Sequence, residues 1–250
     1  MKPRLLDLLY PRECVVCRAP IGGAPGSAFC AACEAGLEWV RPPLCPRCGA
    51  GGVGRACGEC GGKEILFAGT TALGRYDGKS RDAVLELKFR GSRHLADEFG
   101  RRLAERIGRR FDVVTPVPMS RWKLLFRGYN AAELLAERLA RHARLPYARS
   151  ALRKVRRTRA QSELSMEERL TNPKGAYRAR KTRGVVLLVD DVLTTGATAN
   201  ACTEALRQAG AAEVHLAVIA RWFFFFLERP FWDRAPRKRK KYLAQESPMA

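Results

Sequence analysis

Val185-Val186-Leu187-Leu188-Val189-Asp190-Asp191-Val192-Leu193-Thr194-Thr195-Gly196-Ala197-Thr198 is the stretch that decides the fold. The continuous apolar run 185–189 reads as a strand buried on both faces, as in a parallel sheet covered by helices. Such a strand delivers the chain to the carboxyl edge of the sheet, where open α/β sheets take their ligands. Thr194 to Thr198 then turn into a helix, so backbone N–H groups and three threonine hydroxyls can surround a phosphate dianion. Gly196 has no Cβ, and the main chain can curl closely against such a group there. Asp190 and Asp191 would repel a phosphate placed on them and suit instead the vicinal hydroxyls of a neighbouring ribose. Phosphate at one end and sugar diol at the other point to a ribose 5-phosphate group. The chain has no GxxxxGK[ST], and no GxGxxG stands at a strand end, which excludes a P-loop and a dinucleotide fold.

The flanking sequence supports that placement. Val214 to Ile219 is a second buried strand, and a helix from Thr198 to Ala209, closed by Gly210, lies between the two. Strand, helix and strand in this order imply a parallel pair with a right-handed crossover. Upstream, Gly69 to Tyr76 reads as a strand, Ser80 to Phe89 as a helix ending at Gly91, and His94 to Arg110 as another helix. Asp112 to Val117 is a buried strand ending at Pro118. Asn130 is an N-cap for a helix from Ala131 to about Ala143, with Leu134, Leu135 and Leu139 facing inward. Ser165 with Glu168 gives a capping-box signature for a short helix through Leu170. Alternating strands and helices across residues 66–221 predict an α/β domain with a parallel sheet.

Eight of the nine cysteines precede that domain, as Cys14-x2-Cys17, Cys30-x2-Cys33, Cys45-x2-Cys48 and Cys57-x2-Cys60. Two intervening residues make a tight knuckle that aims both sulfurs at one metal, and two knuckles complete a tetrahedral thiolate site. Residues 1–65 are therefore expected to form a small Cys-rich zinc ribbon domain with two structural Zn2+ ions. Sequential pairing is favoured, the first four cysteines on one ion and the last four on the other; an interleaved cross-brace is the alternative. A full set of thiolates leaves no open position for catalysis, and a segment this small and glycine-rich would barely bury a core without its metal. Cys202, alone on the helix after the phosphate turn, reads as a buried packing thiol.

The formal net charge of +21 and pI near 10.2 favour polyanionic partners: nucleic acid, an acidic membrane surface or a phosphate-rich substrate. Eight thiolates and two zinc dications would lower that charge by four, to about +17, and the inference survives. The N-terminal apolar run is short and broken by Asp7, so no secretory signal is expected. The run Trp222 to Leu227 is far below the ~20 residues of a membrane span. Integral membrane insertion is not expected, and the chain reads as cytoplasmic, where paired cysteines bind metal more often than they form disulfides. Residues 222–250, an aromatic cluster followed by Pro236-Arg237-Lys238-Arg239-Lys240-Lys241, form a tail expected to be mobile.

The stretch from Val185 to Thr198 resembles the phosphoribosyl pyrophosphate (PRPP) motif of type I phosphoribosyltransferases. The resemblance implies a type I phosphoribosyltransferase-like fold, with PRPP on Asp190, Asp191, Thr194, Thr195, Gly196, Ala197 and Thr198, and with Asp190 and Asp191 in a catalytic role. It also implies attack at ribose C1 with loss of pyrophosphate, and Mg2+ bound with PRPP. A leaving group so highly charged needs cationic loops around it. The first candidate loop, Pro118 to Asn130, offers Lys123 and Arg127. The second, Arg153 to Leu164, offers Arg156, Thr158 and Gln161, and would close as a lid that excludes water.

With both modules in this order, the chain is similar to the ComF family, which includes GntX-like proteins and ComFC. The similarity rests on Leu5 to Cys17 with the later cysteine pairs, Leu87-Lys88-Phe89-Arg90-Gly91 and Arg127-Gly128-Tyr129-Asn130. It extends through Arg156, Thr158, Gln161, Leu164, Arg169, Asn172, Ala176 and Tyr177 to the Asp190–Thr198 motif. The family more often has Phe-Asn-Gln where this chain has Tyr129-Asn130-Ala131, so any contact made by that glutamine is missing. Two functions follow from the resemblance. One is a phosphoribosyltransferase acting on an acceptor that the sequence does not name. The other is a non-catalytic, PRPP-regulated protein that binds single-stranded DNA, with partners in DNA uptake (natural transformation) or recombination. Single-strand binders add stacking aromatics to a basic groove; Trp39, Trp122, Phe126 and Tyr129 are the candidates, with core packing expected for most of them. A degenerate scaffold is disfavoured by the intact aspartate pair. Nothing in the sequence fixes an oligomeric state.

Overall fold

The computed structural model describes residues 12–21, 27–51, 57–61, 64–156 and 173–222. Its elements in chain order are α1 (Ala31–Ala35), β1 (Gly69–Arg75), α2 (Gly78–Phe89), α3 (Leu95–Arg106), β2 (Val113–Pro116) and α4 (Arg121–Arg127). There follow α5 (Ala131–Ala143), β3 (Leu152–Lys154), β4 (Tyr177–Ala179), β5 (Val185–Leu193), α6 (Ala197–Gln208) and β6 (Glu213–Arg221). Four strands form one parallel sheet in the order β1-β6-β5-β2, and β3 pairs with β4 as a separate antiparallel hairpin.

Strand alternation divides the core in two. Leu187, Val189, Ala217 and Ile219 face the layer built by α2, α3 and α5, with Leu87, Phe99 and Leu135 fully buried among them. Val186, Leu188, Leu216 and Val218 face α6 and the β3–β4 hairpin, against Cys202, Leu206 and Tyr177. Helices α3 and α5 approach so closely that a Cβ on Gly100 would stand 2.8 Å from the Leu139 amide nitrogen. The free edge of β1 is covered by the chain that leaves the first cysteine module. Val40 donates to the Leu73 carbonyl (2.9 Å), Arg75 donates to the Glu38 carbonyl (2.7 Å), and Trp39 bridges Gly74. An unpaired edge is thereby removed.

Three expectations need correction. The segment Pro118 to Asn130 is not a loop throughout, because it contains α4. Ser120 caps that helix by accepting from the Lys123 amide (3.4 Å), and Gly128 closes it at φ 75°. No residue of α4 is buried, so no apolar face facing the core marks it as helical. The strand beginning at Val185 continues past Val189 to Leu193, because β6 runs on to Arg221 and supplies backbone partners as far as Leu193. Helix α3 stops at Arg106 rather than Arg110, where Ile107 turns extended (ψ 108°) and packs against the core. The helix expected at residues 165–170, much of the second cationic loop and the tail beyond 222 lie outside the described residues.

Candidate functional site

At the carboxyl end of β5 a cleft of ≈ 260 Å³ opens, walled by Asp190, Asp191, Thr194, Gly196 and Thr198 from the motif, by Tyr76 at the end of β1, and by Lys88 of α2. Thr195 and Ala197 serve the turn itself: the Ala197 amide donates to the Thr195 hydroxyl at 3.4 Å. Gly196 caps α6 with φ 83°, the left-handed conformation that favours glycine. The turn thus points the start of a 12-residue helix, with its positive dipole end, toward the cleft.

The two aspartates are neighbours in sequence but not in environment. The Asp191 amide donates to Asp190 Oδ1 at 2.8 Å. Asp191 meets the ammonium of Lys88 at 2.8 Å, with both side chains largely buried. Burial alone would lower the Lys88 ammonium, but the adjacent Asp191 carboxylate outweighs it and holds the group above the usual lysine range. Among the described residues Asp190 has no such ion-pair partner. Burial and then the like charge of Asp191 push it up to about 7, against the pull of Lys88 and the Asp191 amide. Behind it lie the buried thiol of Cys202 and the phenol of Tyr177, both pushed up by burial and by nearby negative charge.

Of the residues expected to hold pyrophosphate, Lys123, Arg127 and Arg156 are not part of the cleft wall. Lys123 lies exposed on α4, and the Arg127 guanidinium sits 4.3 Å over the Phe89 ring. Arg156 donates to the Lys174 carbonyl at 2.7 Å. Thr158 and Gln161 lie outside the described residues. Lys123 and Arg156 nevertheless share a positive neighbourhood with Lys154, whose ammonium burial and then Lys123 push down to about 8. Tyr76, Lys88 and Lys154 come from elements remote in sequence from the motif. Lys88 stands in the Leu87–Gly91 stretch that carries the family resemblance and Lys154 in the second cationic loop, but the sequence assigns neither of them, nor Tyr76, to the cleft.

The aromatic candidates divide. Tyr129 is buried, its hydroxyl donating to the Leu87 carbonyl, and Trp39 lies under the Arg102 guanidinium at 4.9 Å. Trp122 is 53% exposed and Phe126 84%, with ring centroids 6.2 Å apart and planes at 25°.

The cysteines gather sequentially. Cys14, Cys17, Cys30 and Cys33 form one group and Cys45, Cys48, Cys57 and Cys60 the other, with ligand atoms within 4.8 Å of one another. Neighbouring sulfurs lie 3.6 Å apart at Cys17–Cys30 and 3.8 Å apart at Cys45–Cys60. A tetrahedron with Zn–S bonds of ~2.3 Å has edges of about 3.8 Å, so both groups fit zinc. Lys79 of α2 donates to Cys33 Sγ at 3.5 Å, the kind of outer contact that steadies a metal thiolate.

Comparison with known proteins finds matches to both parts of the chain. The double zinc ribbon domain family matches residues 5–62 and the phosphoribosyl transferase domain family matches residues 127–241. Competence protein F of Haemophilus influenzae is 28% identical over 224 residues, covering 84% of this chain and 96% of that protein. DNA utilization protein YhgH of Salmonella typhi is 29% identical over 226 residues, 86% and 99% of the two chains. Competence protein ComFC of Bacillus subtilis is 25% identical over 203 residues, 75% and 81%. Among solved structures, glutamine PRPP amidotransferase from B. subtilis is similar at TM-score 0.39 and 22% identity, over 54% of this chain and 30% of that enzyme. Among the described residues no helix is long and apolar enough to cross a membrane.

Proposed function

Because this chain is a homologue of the ComF proteins, with a double zinc ribbon ahead of a phosphoribosyl transferase domain, we propose that it binds PRPP in the Asp190–Thr198 cleft and transfers the phosphoribosyl group to an acceptor. The observation that carries this reading is the convergence of the aspartate pair with the N-terminus of α6 in one cleft. The 5-phosphate takes the turn from Thr194 to Thr198, and the ribose diol takes Asp190 and Asp191. In the transfer, the bond from C1 to pyrophosphate breaks with the electron pair leaving on pyrophosphate, and a nucleophile of the acceptor bonds to C1. The carboxylate oxygens of Asp190 and Asp191 are hard donors that fit Mg2+. Bound with PRPP, that ion would neutralise charge on the leaving group. Lys123, Arg127 and Arg156, with Thr158 and Gln161, remain the residues proposed for pyrophosphate, and Lys154 joins them. We divide the chain at 1–65, 66–221 and 222–250; the zinc ribbon match ends at 62 and β6 ends at Arg221, while the phosphoribosyl transferase match runs on to 241. A cytoplasmic setting accords with the thiolate sites.

The test is calorimetric titration with PRPP and Mg2+, comparing the wild-type protein with the Asp190→Asn, Asp191→Asn double variant. Binding by the wild type alone supports the reading; no binding, or equal binding by both, refutes it. Pyrophosphate release in a screen of bases, amines and ammonia then identifies catalysis.

A second reading is favoured by α4. Its exposed, stacked Trp122 and Phe126 stand among Arg121, Lys123 and Arg127, which is the combination that single-stranded nucleic acid takes up. In this reading PRPP regulates a DNA-binding protein, in keeping with relatives named for competence and DNA utilization. Binding of single-stranded DNA with a steep salt slope, altered by PRPP and without pyrophosphate release, distinguishes it.

A further inference from the structure

We propose that Lys88 is a positioning residue of the sugar site: from a helix outside the phosphate motif, it holds the Asp191 carboxylate in place for the ribose diol. The inference deepens the PRPP reading and rests on it.

Lys88 is in the last turn of α2, whose Val84 and Leu87 are fully buried against the sheet. The end of this helix is tied down. Glu86, 1% exposed, accepts from Arg90 (2.5 Å), from Arg18 of the first zinc knuckle (2.9 Å) and from Ser92 (3.2 Å). Gly91, at φ 75°, then turns the chain away. Lys88 is thereby held with its ammonium 2.8 Å from Asp191 Oδ1, both groups lining the cleft. Among the described residues, the charged and titratable groups around that ammonium are Asp191 and Asp190 from β5 and Tyr76 from the end of β1, with Arg81 of α2 beside Tyr76.

A buried ion pair roughly breaks even against apolar residues, so stability is a weak reason for this one. A site that must offer two adjacent carboxylates to a neutral diol has a stronger one. An ammonium fixed 2.8 Å from one of them holds that carboxylate in a single orientation beside the cleft. Lys88 does this for Asp191.

The test uses the full, zinc-loaded chain, with PRPP and Mg2+ titrated at pH 7 into wild type, Lys88→Met and Lys88→Arg. Lys88→Met is expected to bind on the order of tenfold more weakly, the equivalent of about 1.4 kcal/mol. Lys88→Arg should recover most of the affinity. If Lys88→Met unfolds, Lys88→Gln, shorter and uncharged, gives the same comparison. Wild-type affinity in the uncharged variant, while the double aspartate variant loses PRPP, would overturn the role of Lys88 and leave the PRPP site standing. Weakened binding that Lys88→Arg does not rescue would also overturn it. No binding by the wild type would bring down the reading and the inference together.

Discussion

Asp190 accepts a hydrogen bond from the backbone amide of Asp191 at 2.8 Å, yet the two side chains answer to opposite layers of the sheet. Alternation along β5 places Asp190 in line with Val186 and Leu188, toward α6 and Cys202. It places Asp191 in line with Leu187 and Val189, toward α2 and Lys88. One aspartate has a cation and the other has burial and a like charge. The same alternation that builds a two-sided core therefore makes two chemically distinct carboxyl groups.

The first prediction follows from the sign of that difference. Asp190 is raised to about 7 from an ordinary 3.8. The folded protein holds this proton more tightly than the unfolded chain does, so the associated stability is complete below about pH 4 and is lost as pH rises through 7. Asp190→Asn keeps the acceptor for the Asp191 amide without the charge. Urea unfolding should show the variant gaining on the wild type by roughly 1–3 kcal/mol between pH 5 and pH 8. An unchanged difference between those pH values would mean that Asp190 is not strained in the free protein.

Gly196 permits a second test. An added Cβ would meet nothing closer than Leu193 Cδ1 at 3.9 Å, so space is available and only the backbone, at φ 83°, objects. Gly196→Ala should cost about 1–2 kcal/mol, and Gly196→Asn less, because asparagine tolerates the left-handed conformation. Both should weaken PRPP by disturbing the turn, and alanine more. Thermal unfolding and calorimetry check the order; equal loss from both variants would point to lost space rather than lost conformation.

Where chemistry is local, the sequence was a good guide. The aspartates and the 194–198 turn at the cleft, the Asn130 cap and the four cysteine knuckles each depend on residues within a few positions of one another. Asn130 accepts from the Ala132 amide at 3.2 Å and donates to the Val117 carbonyl at 3.0 Å, so its cap is also a tie to β2. The Leu87–Gly91 stretch marks Lys88 as part of the family resemblance, but its contact with Asp191 was not legible, because that partner lies about a hundred residues further on and only the parallel order of β1, β6 and β5 brings them together. Helix α4 was obscured for the opposite reason. Its ends are marked by Ser120 and Gly128, but its apolar residues face outward, so the pattern that announces a core helix is missing.

The two zinc sites should differ in what they support. Cys14 and Cys33 share a core with Phe29 and Phe99, whose rings lie 6.1 Å apart, and with Leu87 and Leu103. Cys45, Cys48 and Cys60 form a small cluster of their own with Ala50. Loss of the first ion should therefore loosen α2 and α3, and with them Lys88, whereas loss of the second should be felt locally. Cys33→Ser is expected to lower the melting temperature by about 10 °C or more and Cys57→Ser by about half that or less. Each should lose one equivalent of zinc by elemental analysis. A larger effect from Cys57→Ser would reverse the assignment.

The exposed face of α4 gives the last prediction. Trp122, Leu125 and Phe126 are 53%, 73% and 84% exposed, so truncating them removes little buried area. Trp122→Ala with Phe126→Ala should alter stability by no more than ~1 kcal/mol, as surface changes generally do. If the face stacks on bases, each ring contributes ~1–3 kcal/mol and the pair should weaken binding to a single-stranded oligonucleotide by at least tenfold. The salt slope should change little, because phosphate contacts belong to Arg121, Lys123 and Arg127 rather than to the rings. Charge reversal at Lys123 should do the converse, flattening the slope. Fluorescence anisotropy at several salt concentrations separates the two effects. Unchanged affinity in the double alanine variant would remove single-stranded DNA from this face and leave the proposed PRPP binding in the cleft as the basis for function.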